Sequence, residues 1–261
     1  MRRYPARNER RTIRPVAERC LHCDAPLAGA YCSACGQRAA TGRLSFREAL
    51  EQAVQGFTAL DRAWPATVVG LARDPGGTAA RYVEGHRVAY VTPVRWAAWM
   101  VGLYVVAMNL LELEPVTITT TGASAEEAAA AKGLALDAVR SSWSLATLFA
   151  VPVVALVQRS LFRRSGRNWA ECAAFLLLLT GELYLASLFL LPLAATAPKL
   201  DVAVRGLAAL AYFTWGAARF HGERVPLALL KTALLGLVYV FAMLIVLVLG
   251  LLPLIRSMNA G

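Results

Sequence analysis

Two kinds of residue in this chain stand where they could do chemistry, and the first is cysteine. Four of the five cysteines form two pairs, Cys20-Leu21-His22-Cys23 and, eight residues on, Cys32-Ser33-Ala34-Cys35-Gly36. Each Cys-x-x-Cys pair presents two thiolates at a tight turn, and four sulfurs in a tetrahedron close the shell of a structural zinc ion, leaving no open position for catalysis. The spacing therefore predicts a zinc ribbon over residues 20–37, with Zn2+ held by Cys20, Cys23, Cys32 and Cys35. Gly36 fits this reading, because glycine lets the backbone turn and aim its amides at a sulfur. His22 is read as a surface residue, since four thiolates already complete the shell.

The second is a carboxylate in an apolar run. Glu182 sits in Leu179-Thr180-Gly181-Glu182-Leu183-Tyr184, where an ionised group in hydrocarbon costs about 2 to 4 kcal/mol even on lenient insertion scales. It should face other helices and be paired or protonated. Tyr212 is level with it on the next long apolar stretch, and Arg205 lies some six residues nearer the outer face, so both are candidate partners. Glu171 falls three helical turns earlier on the same face. Two readings stand side by side: a polar path for protons or a cation through Glu171 and Glu182, or a structural hydrogen bond that locks the helices.

The elements that must position these groups follow from composition. Of the 261 residues, 57% are hydrophobic and only 17% charged, too little polar surface for an ordinary soluble protein. The apolar residues gather toward the C-terminal end, which points to a bilayer. The formal net charge is +10, and residues 1–93 carry 14 basic against 8 acidic side chains. A basic front suits anionic lipid or nucleic acid. Residues 1–19, with seven arginines, form a basic arm without the apolar content for a core. No apolar segment precedes residue 94, so no cleavable leader is expected and the cysteines should stay in the reducing cytoplasm, where metal prevails over disulfides.

Residues 45–93 read as amphipathic juxtamembrane helices. Ser45-Phe46-Arg47-Glu48 has the form of a capping box. Phe46, Leu50, Val54, Phe57, Leu60, Trp64, Val68 and Leu71 then recur at steps of three and four, with a kink or restart expected at Pro65. Such a stripe either lies on the membrane surface or packs on the bundle. Asp74-Pro75-Gly76-Gly77 should break it, with a second short helix from Thr78 ending at Gly85. The knuckles ending in Cys35-Gly36-Gln37, followed by Leu60-Asp61-Arg62, Pro75-Gly76 and Tyr82-x-x-Gly85-x-Arg87-x-x-Tyr90-x-x-Pro93, resemble an uncharacterised bacterial family catalogued as a domain of unknown function. The likeness covers about residues 20–95, departing at Pro65 and at His86, where lysine is expected. It implies an N-terminal zinc ribbon joined to a multi-pass helical membrane region, and no activity.

Residues 94–261 read as a five-span transmembrane bundle, with apolar stretches near 94–113, 143–162, 169–193, 201–219 and 227–254, each close to or above the ~20 residues that cross ~30 Å of hydrocarbon. Arg163, Arg164 and Arg167, then Arg219, Arg224 and Lys231, make the second and fourth connections cytoplasmic. The N-terminus is then inside and the C-terminus outside. The acidic-leaning connection from Glu114 to Ser142 faces outward, with an external helix over Ala125–Arg140. Trp96, Trp99 and Trp143 fit the interfacial belt. Asp201 and Arg205 make a helix-surface pair at the outer interface, and Cys172 a small apolar filler.

The fold class expected is thus mainly α: a five-helix membrane bundle behind a small four-cysteine ribbon. The function expected is that of an uncharacterised membrane protein of the bacterial plasma membrane, whose ribbon serves protein interaction or assembly. Its partners are membrane lipids and a cytoplasmic or membrane protein. Nucleic acid ranks below protein, because residues 20–37 carry Asp24 and no basic residue beyond neutral His22. The alternative is a small transporter or channel with Glu182 as its functional carboxylate. No catalytic constellation stands out among the three histidines, 22, 86 and 221, although His86 and His221 fall on the same side and could meet.

Overall fold

The computed structural model describes residues 19–39, 44–45, 63–111, 113 and 150–258. Among these the chain is helical and has no β-strand. Its elements are α1 (Ala63–Arg73), α2 (Pro75–Glu84), α3 (Pro93–Leu110), α4 (Ala150–Leu161), a 3-10 turn at Arg163–Ser165, α5 (Trp169–Phe189), α6 (Leu191–Thr196), α7 (Pro198–His221) and α8 (Val225–Met258). The basic arm, the helix expected from the capping box at Ser45, the external helix over Ala125–Arg140, and Trp143 lie outside the described residues.

Local chemistry sets the helix ends. Asp74-Pro75-Gly76-Gly77 does more than interrupt. Asp74 Oδ1 accepts the Gly77 amide at 3.0 Å and Pro75 takes the first helical position, so α2 starts at Pro75 and not at Thr78. A capping carboxylate followed by proline satisfies the orphan donors of a first turn, whereas reading the same residues as breakers overlooks this. Gly85, at φ 121°, ends α2 as expected. Pro65 falls in the first turn of α1, where a missing amide costs nothing.

The short helices are built into the bundle. α2 lies between α5 and α7, which touch each other little. A Cβ placed on Gly76 would sit 2.3 Å from the Gly216 carbonyl oxygen, and one on Gly216 would sit 2.6 Å from Leu179 Cδ2. The three helices meet there because two positions lack side chains. Leu71, Ala79 and Tyr82 are fully buried. Thr67 Oγ1 donates to the Ala63 carbonyl and accepts the Val91 amide, and the Tyr212 hydroxyl donates to the Leu71 carbonyl at 3.1 Å. For the described part of the stripe, Trp64 to Leu71, the choice between lipid and bundle thus falls to the bundle.

α3 runs along α5 but begins halfway up it. The Trp96 indole covers Gly181 and donates its N–H to the Leu178 carbonyl at 3.1 Å. Trp96 is completely buried and therefore no part of an interfacial belt, while Trp99 remains 43% exposed. A flat indole against a glycine is a core contact that spacing alone cannot distinguish from an interfacial one.

Among the described residues, α5 and the Val225–Ile245 portion of α8 are long and apolar enough to cross a membrane. The described α4 is shorter. α3 contains Arg95 and Asn109, and α7 contains Lys199, Asp201, Arg205 and Arg219, which lower their apolar character.

Gly76→Ala should lower stability by about 2 kcal/mol or more, because a backbone oxygen cannot rotate away from the added methyl. Gly206→Ala, which meets nothing within 4 Å, should be neutral or stabilising by about 0.5–1 kcal/mol. Thermal unfolding of the detergent-solubilised variants measures both.

Candidate metal centre and buried polar groups

Each cysteine pair is held by the same local fold, repeated twelve residues later. In the first knuckle the Cys20 amide donates to the Ala25 carbonyl and the Asp24 amide to the Cys20 carbonyl, both at 2.9 Å. In the second, Cys32 donates to Gln37 and Gly36 to Cys32, both at 2.8 Å. Isolated antiparallel bridges flank both turns, Arg19 with Pro26 and Tyr31 with Arg38. Each turn needs a left-handed residue at its fifth position, filled by Gly36 (φ 76°) and by Asp24 (φ 57°), one of the few side-chain types that tolerate that region.

The two knuckles bring the four sulfurs within 4.8 Å of one another. Cys20 Sγ lies 3.6 Å from Cys35 Sγ, and Cys23 Sγ lies 3.6 Å from Cys32 Sγ. Zinc–sulfur bonds of ~2.3 Å at tetrahedral angles would place the sulfurs roughly 3.8 Å apart. The cysteines are thus close enough to hold a metal ion, with spacings consistent with a structural zinc.

Thiol ionisation is uneven across the cluster. Cys32 is pulled down to about 7, first by the Cys35 amide and then by that of Ala34. Cys20 is lowered by the Cys23 and His22 amides. Cys35 is favoured as thiolate by the Gln37 amide, but desolvation and the thiols of Cys23 and Cys20 outweigh that and push it to about 12. Cys23 likewise rises despite the Ala25 amide, through desolvation and its neighbours Cys32 and Cys20. Two sulfurs thus ionise easily and two resist, because four negative charges cannot share so small a volume without a cation.

His22 is not among the clustered ligands. It is half-buried, its ring packed edge-on against His86 with centroids 6.0 Å apart. His86 therefore meets the ribbon and not His221.

His221 has its own partners, Ser165 Oγ at 2.9 Å from Nδ1 and Gln158 Nε2 at 3.0 Å from Nε2. This set lies beside a cleft of about 640 Å3 bordered by Glu84, Arg167 and Arg219. The sequence offered no sign of it, since the three residues come from α4, the 3-10 turn and α7. Ser165 donates its own proton to the Phe162 carbonyl at 2.8 Å. Nδ1 must then donate to Ser165, and Nε2 accept from Gln158. The set joins α4, the 3-10 turn and α7.

The polar candidates divide differently from the sequence-based expectation. Glu171 is 2% exposed and closes a capping box, accepting the Asn168 amide at 2.8 Å while its own amide donates to Asn168 Oδ1. Arg205 binds both oxygens of Asp201 at 2.7 Å and reaches the Tyr104 hydroxyl at 3.2 Å. Tyr212 is committed to Leu71. Neither expected partner bonds to Glu182, whose Oε2 is buried with no hydrogen-bond partner. Cys172 is fully buried as filler.

No family model matches the chain, and neither a curated protein nor a solved structure matches it.

Metal uptake should release protons, chiefly those of Cys23 and Cys35, so Zn2+ titrated into the metal-free chain should bind more tightly as pH rises. Calorimetry in buffers of different ionisation enthalpy should detect this proton release, and the number released per ion should shrink as pH rises. Gly36→Ala should weaken binding about 5- to 30-fold, from about 1–2 kcal/mol of left-handed strain, as measured against a chromophoric chelator.

Proposed function

We propose that this chain is an integral protein of the bacterial plasma membrane in which five helices hold a cytoplasmic zinc ribbon, and that the ribbon presents a rigid surface to a protein partner. The observation that carries the reading is the position of the cysteine cluster at the arginine-rich end of the helices. His22 meets His86, Asn168 Nδ2 donates to the Leu44 carbonyl at 3.0 Å, Arg167 pairs with Glu84 at 2.7 Å and Arg219 with Asp74 at 3.0 Å. Arg163, Arg164 and Arg224 are exposed at the same end. Basic connections favour the cytoplasmic side, which is also where thiolates stay reduced for metal.

The far side of α8 supports the membrane part. Leu230, Leu237, Phe241 and Ile245 are 59–69% exposed, an apolar surface that lipid would cover. Lys231, the cation in this stretch, turns back to Glu223 and lies over the Phe162 ring at 4.6 Å, so it presents no charge to that surface.

Zinc would supply the ribbon with what its size denies it, since a loop so short cannot bury enough apolar surface to fold alone. Exposed Tyr31 and Leu21 then offer apolar contact area beside Arg19. The resemblance to the uncharacterised zinc-ribbon membrane family implies the same architecture, and membership in that family is part of the proposal.

Affinity purification from membranes tests it. The full chain should carry about one zinc and retain a specific protein companion that is lost from a Cys32→Ser, Cys35→Ser version still present in the membrane. Equal recovery of companions by both versions would overturn the interaction role. Protease access to the N-terminus only in inside-out vesicles is the expected topology, and access from the periplasmic side would overturn the orientation.

A further inference from the structure

Among the described residues, Glu182 is a buried carboxylate with one oxygen, Oε2, that the packing leaves without a hydrogen-bond partner. Its neighbours on α5 are apolar or already engaged: Gly181 lies flat against Trp96, and the Tyr184 ring meets Tyr104 edge-on at 5.2 Å. The residue is 9% exposed, and its Oε2 has no donor. A hydrogen bond locking the helices would need a second group, so the structural explanation of Glu182 lacks its other half. An ionised carboxylate left this way costs several kcal/mol, whereas the neutral acid costs far less.

Two ligands could neutralise it. A hard metal cation such as calcium takes about 6–8 oxygen ligands. Around Glu182 the helices α5 and α7 run unbroken, so their carbonyls are spent within the helices. A proton needs only the carboxyl itself. We propose that Glu182 is a proton-binding site inside the bundle, taking up and releasing one proton at its carboxyl group.

The charged surroundings are sparse. Among described residues, the helices packed on α5 bring Arg73 from α1, Arg81, Tyr82 and Glu84 from α2, Arg95 and Tyr104 from α3, and Arg159 from α4, which Trp169 ties to α5 through the Pro152 carbonyl. α6 brings none, and α7 contributes Lys199, Asp201, Arg205, Tyr212, Arg219 and His221. Of these, Tyr212 is the one within electrostatic reach of Glu182. Its hydroxyl is held by Leu71 and offers Glu182 no proton. This inference is independent of the zinc ribbon and of any partner, and it would hold if either failed.

Dicyclohexylcarbodiimide tests it on the full chain in detergent, because the reagent adds to protonated carboxyls in apolar surroundings and leaves a stable adduct that peptide mass spectrometry locates. Glu182 should be modified near neutral pH while exposed Glu84 is not. The rate should fall about tenfold per pH unit above the titration midpoint, and sodium or potassium should not change it. Failure to label Glu182 from about pH 6 to 9 in protein that still elutes as a folded species would overturn the proposal. Slowing by an alkali cation at fixed pH would also overturn it, by assigning a metal ligand instead. Glu182→Gln should abolish the adduct; if that variant does not insert, the pH and cation profiles of the unmodified chain decide alone.

Discussion

A contact between two backbones governs the helical part of this protein. Gly76 and Gly216 let α2 approach α7 with no intervening side chain, and Gly216 at the same time admits Leu179 of α5. A ten-residue helix with little apolar length of its own becomes the wedge between two long helices. A close fit of this kind brings many backbone and side-chain atoms into contact at once. It also fixes Asp74 beside Arg219 and Glu84 beside Arg167, which joins the segment before α3 to the connections on the basic end.

The ribbon depends on a different constraint. Its residues include no large core, and its geometry comes from two copies of one turn, each presenting two sulfurs and closing with a left-handed residue. Without a cation the four thiols work against one another, and their split ionisation expresses that conflict. A tetrahedral metal would resolve it and tie the two turns together. Metal binding and folding of the ribbon would then be one equilibrium, while the helices are held by packing.

Several of the polar groups inside the helical part are committed locally. Glu171 caps its own helix, Asp201 and Arg205 hold each other and Tyr104, Tyr212 reaches the end of α1, and His221 joins Gln158 to Ser165. These arrangements lower the cost of burial, and the hydrogen bonds between Glu171 and Asn168 stay within their own capping box. Glu182 Oε2, like the hydroxyls of Thr214 and Thr232, is buried with no hydrogen-bond partner, but it belongs to a group that can carry a charge, and this makes it informative.

The amino-acid order alone picked out the four cysteines that come together, because Cys-x-x-Cys spacing is a local property and each turn closes within six residues. It also determined the mainly helical class, the end of α2 at Gly85 and the apolar character of α5 and α8, all properties of neighbours along the chain. It left the destination of the stripe through Trp64 and Leu71 open, since the same periodicity serves lipid and protein alike. It assigned Trp96 to an interface and Tyr212 or Arg205 to Glu182 by depth, but depth along a helix does not fix rotation about it. The Asp201–Arg205 pair, four residues apart on one helix, was legible in the sequence and already occupies Arg205. Only the tertiary structure decided the rest: Trp96 meets Gly181 and Tyr212 meets Leu71 because α1, α2 and α3 come against α5 and α7 at angles and heights set by glycines distant in the chain.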